Sequence, residues 1–345
     1  MRAPRVTVLM AVYNGERYLR EAMESVLAQT FADFEFLVVD DGSTDASAQI
    51  IASYADPRVR PVRNRANLGL VASLNRGLEL ARGEYVARMD ADDISRPERL
   101  SHQVRFMEVH PGVGVCGSWV QFFPDRYIWK LPRSSEEIRC RQFSIVGVAH
   151  PSVMLRRRLF VEHGLFYSPG FPYLEDFELW DRALKHMEFA NIQEVLLDYR
   201  ISPGQISTLH RAEQLAAVAP MRLQKVRELG LDPTAPLQQL HEQVFNCTLP
   251  VESDAVDRAE QWLLQLQAAN SSAKVYDGRC FGQWLLHIWF SACLSIGDES
   301  VCPLSRCLGS PLWSACDASP LRLLQALGAW VARKEFWVAR RKTRV

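Results

Sequence analysis

Lysine is scarce in this chain. Only six of its 40 Lys+Arg residues are Lys, and those 40 cations face 40 Asp+Glu, so the formal net charge is zero. Without a basic excess the usual electrostatic route to nucleic acid is missing, and no nucleic-acid partner is expected. The lysine deficit itself reads as genomic base composition. CxxC pairs are absent too. The eight cysteines, six of them after residue 246, follow no even spacing, which argues against a disulfide framework and for reduced thiols. Cys302, Cys307 and Cys316 match no strong zinc spacing. Long apolar runs are also lacking. The best candidate, Trp284–Ile296, has thirteen residues broken by His287 and Ser291, short of the ~18–20 a membrane span needs, and is expected as a buried helix. The opening MRAPRVTVLMAVYN does not follow the charged, apolar, small-residue order of an export signal, so the expected location is cytoplasmic. Finally, the first strand-like run leads into AVYNGERYL, neither GxGxxG nor GxxxxGK[ST], so no glycine cradle for phosphate is present.

What is present suits a folded chain. With 345 residues, 48% hydrophobic and 23% charged, a sizeable core and roughly two domains are expected. The first 90 residues alternate between strand-like and helix-like periods. Val6–Tyr13, Phe34–Asp40, Val59–Asn64 and Glu84–Asp90 read as strands. Between them, residues 16–29 place Leu19, Met23, Val26 and Leu27 on one helical face behind Asn14 as a candidate cap. Ser43 or Thr44 precedes a helix with Ile50, Ile51 and Tyr54, and Leu70, Leu74 and Leu78 mark a third that ends at Gly83. This alternation implies βαβ units in a Rossmann-like, mostly parallel sheet flanked by helices. Strands are further expected at Val113–Phe123 and Ser144–Ala149, and a helix at Leu174–His186. Beyond about residue 210 the chain becomes helix-rich with proline breaks, so domains of 1–210 and 211–345 are expected.

In an open α/β sheet, ligands bind outside the carboxyl ends of the strands. Here those ends carry Tyr13 and Asn14, then Asp40 and Asp41, then Asp90, Asp92 and Asp93. Five carboxylates at one sheet edge repel one another unless a cation intervenes, and an all-oxygen donor set selects a hard ion, Mg²⁺ or Mn²⁺. Asp45 and Asp56 read as ordinary turn and cap residues. Tyr13 is placed either to stack on a nucleotide base or to fill the core.

The blocks AVYNGERYLREAMESVLAQTF, VVDDGSTD, NLGLVASLNRGLELARGEYVARMDADD, HPSVMLRR and YLEDFELWDR occur in that order over roughly residues 5–207. Together they resemble the family 2 glycosyltransferases of the GT-A fold. The resemblance implies a nucleotide diphosphate sugar donor, most often a UDP-sugar, and a saccharide or lipid-linked acceptor. It implies that Tyr13 stacks on the base beside Asn14 and that Asp41 reads the base. Asp90 and Asp92 would form the DxD pair, with Asp92 the direct metal ligand, Asp90 nearer the ribose or metal, and Asp93 supporting the loop. Asp176, beside Glu175, resembles the general base of inverting members, and Trp180 and Arg182 resemble the stretch that shapes the acceptor side, where they would also meet the nucleotide sugar. No QxxRW occurs, so the chain resembles the non-processive members. Many relatives have a histidine after the pair equivalent to Tyr199–Arg200; here that position is Ser202, which leaves a third metal ligand unassigned. His150, better read as a loop anchor or acceptor-side residue, and His210 are the nearest candidates.

Taken alone, Glu178 and Arg182 make an ordinary helical i,i+4 pair. Two other functions compete with the transferase reading. A degenerate binding subunit is disfavoured by the intact Asp41, Asp90, Asp92 and Asp176, and a sugar-nucleotide pyrophosphorylase by the missing glycine-rich loop. Near the end of the chain, Leu323, Leu327, Trp330, Val331, Trp337 and Val338 form an apolar stripe beside Arg333, Lys334, Arg340, Arg341, Lys342 and Arg344. Such a helix lies either on the inner membrane face as a peripheral contact or packed on the catalytic domain.

Overall fold

The structure is a computed structural model and describes residues 3–171, 173–202, 210–296, 306 and 308–315. The chain divides into two compact units, Met1–Val218 and Ala219–Val345.

The first unit is built on a nine-stranded sheet. Its strands are β1 (Val6–Val12), β2 (Phe34–Asp40), β3 (Val59–Arg63), β4 (Tyr85–Asp90), β5 (Ile94–Ser95), β6 (Val113–Phe123), β7 (Ile128–Trp129), β8 (Met154–Arg156) and β9 (Glu188–Arg200), in the order β3-β2-β1-β4-β8-β6-β9-β5, with β7 on β6. The first four strands are parallel. Past β4 the sheet is mixed: β8 runs antiparallel to β4 and β6, β6 pairs parallel with β9, and β5 closes antiparallel on β9. The parallel expectation therefore describes the half that carries the strand-end carboxylates. Register puts those ends together, with Val12 opposite Asp40 and Ala11 opposite Asp90.

Alternation along each strand divides the core between two faces. Val6, Val8, Met10 and Val12 of β1, with Ala87 and Met89 of β4, pack under α1 (Leu19–Leu27), α2 (Ser47–Ala52) and α4 (Arg99–Val109). On the opposite face Leu9, Leu37, Val39 and Val86 meet α3 (Leu70–Leu80), α6 (Arg157–Glu162) and α7 (Glu175–Ala183). α5 (Ser135–Arg141) carries a full capping box between Ser134 and Glu137.

Two expectations fail locally. Ser144–Ala149 is turn rather than strand: Gln142 accepts from Gly147 N at 3.2 Å and donates to Phe177 O at 2.8 Å. Its buried Val148 and Ala149 are loop side chains in the core. A short buried apolar run reads the same in either conformation. The caps differ as well. α1 begins at Leu19 rather than behind Asn14, which adopts φ of 50°, and α2 begins at Ser47, whose N–H is taken by Asp45.

The second unit is helical. Its elements are the end of α8 (Arg211–Glu228), α9 (Ala235–Phe245), α10 (Ser253–Ala273), α11 (Gly278–Ile296) and α12 (Leu312–Ala315). Pro220 stands inside α8 next to the division between units. Val244, Val256, Trp262, Leu263, Phe281, Leu285 and Trp289 form its interior. Arg222 is buried on Glu242 (2.9 Å) and Asn246 (2.8 Å), and Trp262 donates to His241 at 3.1 Å. The Trp284–Ile296 run belongs to α11, a mostly buried helix. Among the described residues no helix is long and apolar enough to cross a membrane. Cys302, Cys307, Cys316 and the basic tail lie outside the described residues.

Candidate active site

The loops that follow β1 and β2 are tied to each other. Asn14 N donates to Ser43 Oγ (3.0 Å), Thr44 N to Asn14 Oδ1 (2.9 Å), Gly15 N to Ser47 Oγ (2.9 Å) and Glu16 N to Asp45 (3.0 Å). Asn14 therefore joins the two loops, while Tyr13, 47% exposed, presents its ring at the strand end. Asp41 is buried. Its carboxylate accepts from Asn64 Nδ2 (2.6 Å) and from the backbone N–H groups of Leu68 (2.9 Å) and Gly69 (2.8 Å). It thereby fixes the segment leading into α3. Gly42 beside it has φ of 72° and passes so close to Ala66 that a Cβ would lie 2.7 Å from the Ala66 carbonyl carbon, hence glycine.

β4 delivers the acidic run. Asp90, Asp92 and Asp93 each place a carboxylate oxygen within 4.8 Å of the others. Asp93 is buried. One of its oxygens accepts from Arg200 N at 2.9 Å and the other has no partner. Arg200, at the end of β9, also donates to Asp92 O (2.7 Å) and pairs with Glu21, latching the DADD loop to β9 and α1. Burial, then the Asp90 charge, pushes Asp92 up to about 6; burial and both neighbouring charges raise Asp93 well above the usual carboxylate range. Arg88 and Arg200 oppose these shifts and are outweighed. An all-oxygen triad that resists full ionisation, with one buried oxygen unpartnered, suits a hard divalent cation.

The second acidic group opens α7. Glu175 and Asp176 are half-buried, and Asp176 accepts from Phe177 N at 2.7 Å. Burial, then the Asp176 charge, pushes Glu175 up to about 7, and burial raises Asp176. α7 packs on the sheet face that carries Val86. Arg88 projects to that same face, and its charge is felt at both Glu175 and Asp176. Beneath them Tyr167 Oη lies 2.7 Å from His150 Nε2, and Tyr167 is clasped by Asn75 through its backbone N and O (2.9 Å each). Burial, then Arg88, holds His150 well below the ordinary histidine range, so it is neutral, and it anchors the loop. Burial raises the Tyr167 hydroxyl.

The remaining candidates sit behind the site. Trp180 is fully buried, edge-on to His150 and Phe189 with its Nε1 unpartnered, so it shapes the site from the core. Arg182 is bound to Glu178 (2.6 and 2.7 Å), with further bonds to Phe166 O and Ser168. This is the helical pairing that spacing alone predicts. His210 stacks on Tyr173 at 4.1 Å. Ser202 is half-buried at the end of a described stretch, followed by residues outside it.

Residues 7–164 match the family model described as glycosyl transferase family 2. An uncharacterised glycosyltransferase of Haemophilus influenzae is 30% identical over 248 residues, covering 66% of this chain and 76% of that protein. The chain belongs to glycosyl transferase family 2. Among solved structures, S. aureus TarS 1-349 in complex with UDP-GlcNAc shares the fold at a TM-score of 0.57 and 17% identity, over 89% of this chain and 92% of that one. The mannosyltransferase PcManGT from Pyrobaculum calidifontis, in complex with GDP-Man and Mn²⁺, does so at 0.52 and 17%, over 87% and 88%.

Sequence reasoning about this glycosyltransferase passed over two of its buried cations. Arg88 stands two residues before Asp90 in the quoted VARMDADD run, a spacing that puts both on one face of a strand. Arg200 enters the sequence pattern only as half of the Tyr199–Arg200 pair; nothing local shows that it returns to the DADD loop.

Proposed function

We propose that this enzyme transfers a sugar from a nucleotide diphosphate sugar, a UDP-sugar foremost, to a hydroxyl of a saccharide or lipid-linked glycan. The reaction is a metal-dependent direct displacement that inverts the anomeric carbon. The observation that carries this reading is the pairing of two unlike acidic groups in one unit. Three carboxylates at the end of β4 make a cation position, and two at the start of α7 make a proton acceptor.

When bound, Mn²⁺ or Mg²⁺ supplies Lewis-acid stabilisation of the charge that develops on the leaving diphosphate. Asp92 would hold it, with Asp90 beside it and Asp93 supporting the loop. The fold shared with a GDP-Man and Mn²⁺ complex agrees with this. Tyr13 offers its exposed ring to the base, and Asn14 and Asp41 keep the surrounding loops in place. Asp176 takes the proton of the acceptor hydroxyl, because its raised affinity for a proton makes it a stronger base than an exposed carboxylate. The Asp90 charge adds to that affinity, and Glu175 beside it holds its own proton up to about 7. A single carboxylate opposite the leaving group favours one displacement, hence inversion. The absence of QxxRW supports non-processive transfer. We assign the work to the cytoplasm, with the tail as a peripheral membrane contact.

The test is incubation with a panel of UDP-, dTDP- and GDP-sugars and Mn²⁺. Slow hydrolysis of one donor, suppressed by a chelator, is the expected outcome. No hydrolysis of any donor would instead favour a nucleotide-sugar-binding subunit. An α-linked product from an α-linked donor would overturn inversion.

A further inference from the structure

Arg88 is a deeply buried cation beside the acidic run, and its geometry bears on which aspartate can hold the ion. Alternate strand residues share a face, so Arg88 lies directly behind Asp90 on β4. Its Nη1 donates to Asp90 Oδ2 at 2.6 Å, and its Nη2 lies 2.5 Å from Oδ1, so both carboxylate oxygens face the guanidinium. The Arg88 side chain is 4% exposed and that of Asp90 30%, which puts the cation on the core side and the carboxylate towards the cleft. Arg88 is pinned at its backbone, where its N donates to Val153 O (3.0 Å) and its O accepts from buried Arg99 (2.6 Å). Its Nε is buried without a partner. A guanidinium so enclosed cannot swing into water to release Asp90.

We propose that Arg88 is a positioning residue that keeps Asp90 out of the inner coordination shell. It leaves Asp92 as the DxD carboxylate that touches the metal, and it turns the free lone pairs of Asp90 towards a hydroxyl of the donor. The proposal rests on the metal-dependent reading above. A fork that holds both oxygens fixes a carboxylate in plane and position, whereas an ammonium does not. A divalent ion drawn onto the same two oxygens would meet the guanidinium charge at contact distance.

The test is Mn²⁺ affinity without nucleotide, read from the electron paramagnetic resonance signal of free Mn²⁺, for wild type, Arg88→Met, Arg88→Lys, Asp90→Asn and Asp92→Asn. Asp92→Asn should weaken binding about tenfold or more, as expected for an inner ligand, while Asp90→Asn stays within about threefold of wild type. Arg88→Met should tighten binding about tenfold, because it frees Asp90 and removes a like charge, and Asp90→Asn added to it should reverse the gain. Arg88→Lys should retain Mn²⁺ affinity near wild type but bind UDP more weakly, since the fork that aims Asp90 is gone. A merely structural role for Arg88 would weaken Mn²⁺ binding, and that result overturns the proposal. If Arg88→Met does not fold, the Asp90→Asn arm decides: a loss matching that of Asp92→Asn overturns it. Failure of the wild type to bind Mn²⁺ instead removes the metal-dependent reading on which both stand.

Discussion

Around Asp92, three carboxylates crowd within 4.8 Å, one of them held by the backbone N–H of a distant strand. Around Asp176 there are two, on the first turn of a helix, and the backbone bond comes from the next residue. Both groups feel Arg88, and in both burial is the largest cause of raised proton affinity. The difference lies in density and support. Three carboxylates on one loop, Asp90 held by Arg88 and Asp93 by the backbone of β9, make a shape that a multivalent ion can fill. Two adjacent acids at a helix start, where the helix dipole favours one negative charge, make a place for a single shared proton. Carboxylate count alone would not separate a metal site from a base.

The strongest way to break this comparison is to neutralise one member of each group. Asp176→Asn removes the proton acceptor and should lower turnover by about 10²–10⁴-fold while Mn²⁺ and UDP affinities stay near wild type. Near-normal turnover would dismiss Asp176 as the base. Asp92→Asn should lower both turnover and Mn²⁺ affinity, the latter about 10–100-fold. If instead both variants lose Mn²⁺ equally, the two clusters are one site and the comparison collapses.

This division was only partly legible in the sequence. β1, β2 and β4 are largely apolar runs, broken only by Thr7, Glu35 and Arg88, that lead into polar residues, so their limits and the DADD position follow from local pattern. β9 could not be read that way. Its pairing with β6 slips between Ser118 and Trp119 and again between Trp119 and Val120, which breaks the period of two that marks a strand. The acids of α7 were visible, but not that the helix would lie on the face carrying Arg88, because that depends on packing between segments about ninety residues apart. Trp180 reads from its motif as an acceptor-side residue because motif position says nothing about depth; the fold buries it completely.

The proton affinities give a sharper comparison through pH. A carboxyl whose folded pKa lies above its unfolded value stabilises the fold only while it is protonated. For Asp92, about 6, and Glu175, about 7, that contribution is present below about pH 4 and is lost as pH rises through those values. The melting temperature without metal should therefore fall from about pH 5 to about pH 8 through these groups. Mn²⁺ restores stability at the Asp92 group alone, so its Tm gain should grow over the same range and vanish in Asp92→Asn. Activity should carry an acid limb above the ordinary carboxylate range, set by the Glu175–Asp176 pair. Glu175→Gln should shift that limb to lower pH by removing the group that holds a proton up to about 7, with little change in Mn²⁺ affinity. A Tm gain from Mn²⁺ that is flat with pH would mean that the cluster binds no protons in competition with the ion.

The smallest effect belongs to the third acid of α7. Glu178 is as close in sequence to Asp176 as Asp176 is to Leu174, yet its carboxylate is held by Arg182 at 2.6 and 2.7 Å. Arg182 is about one-third exposed, so this pair lies near water and its worth is that of a helical i,i+4 bridge. Glu178→Gln should cost about 0.5 kcal/mol of stability in a denaturant titration. It should leave the acid limb and Mn²⁺ affinity where they are. A displaced limb would place Glu178 inside the proton-accepting group. The boundary between base and scaffold would then fall later in the helix than its hydrogen bonds put it.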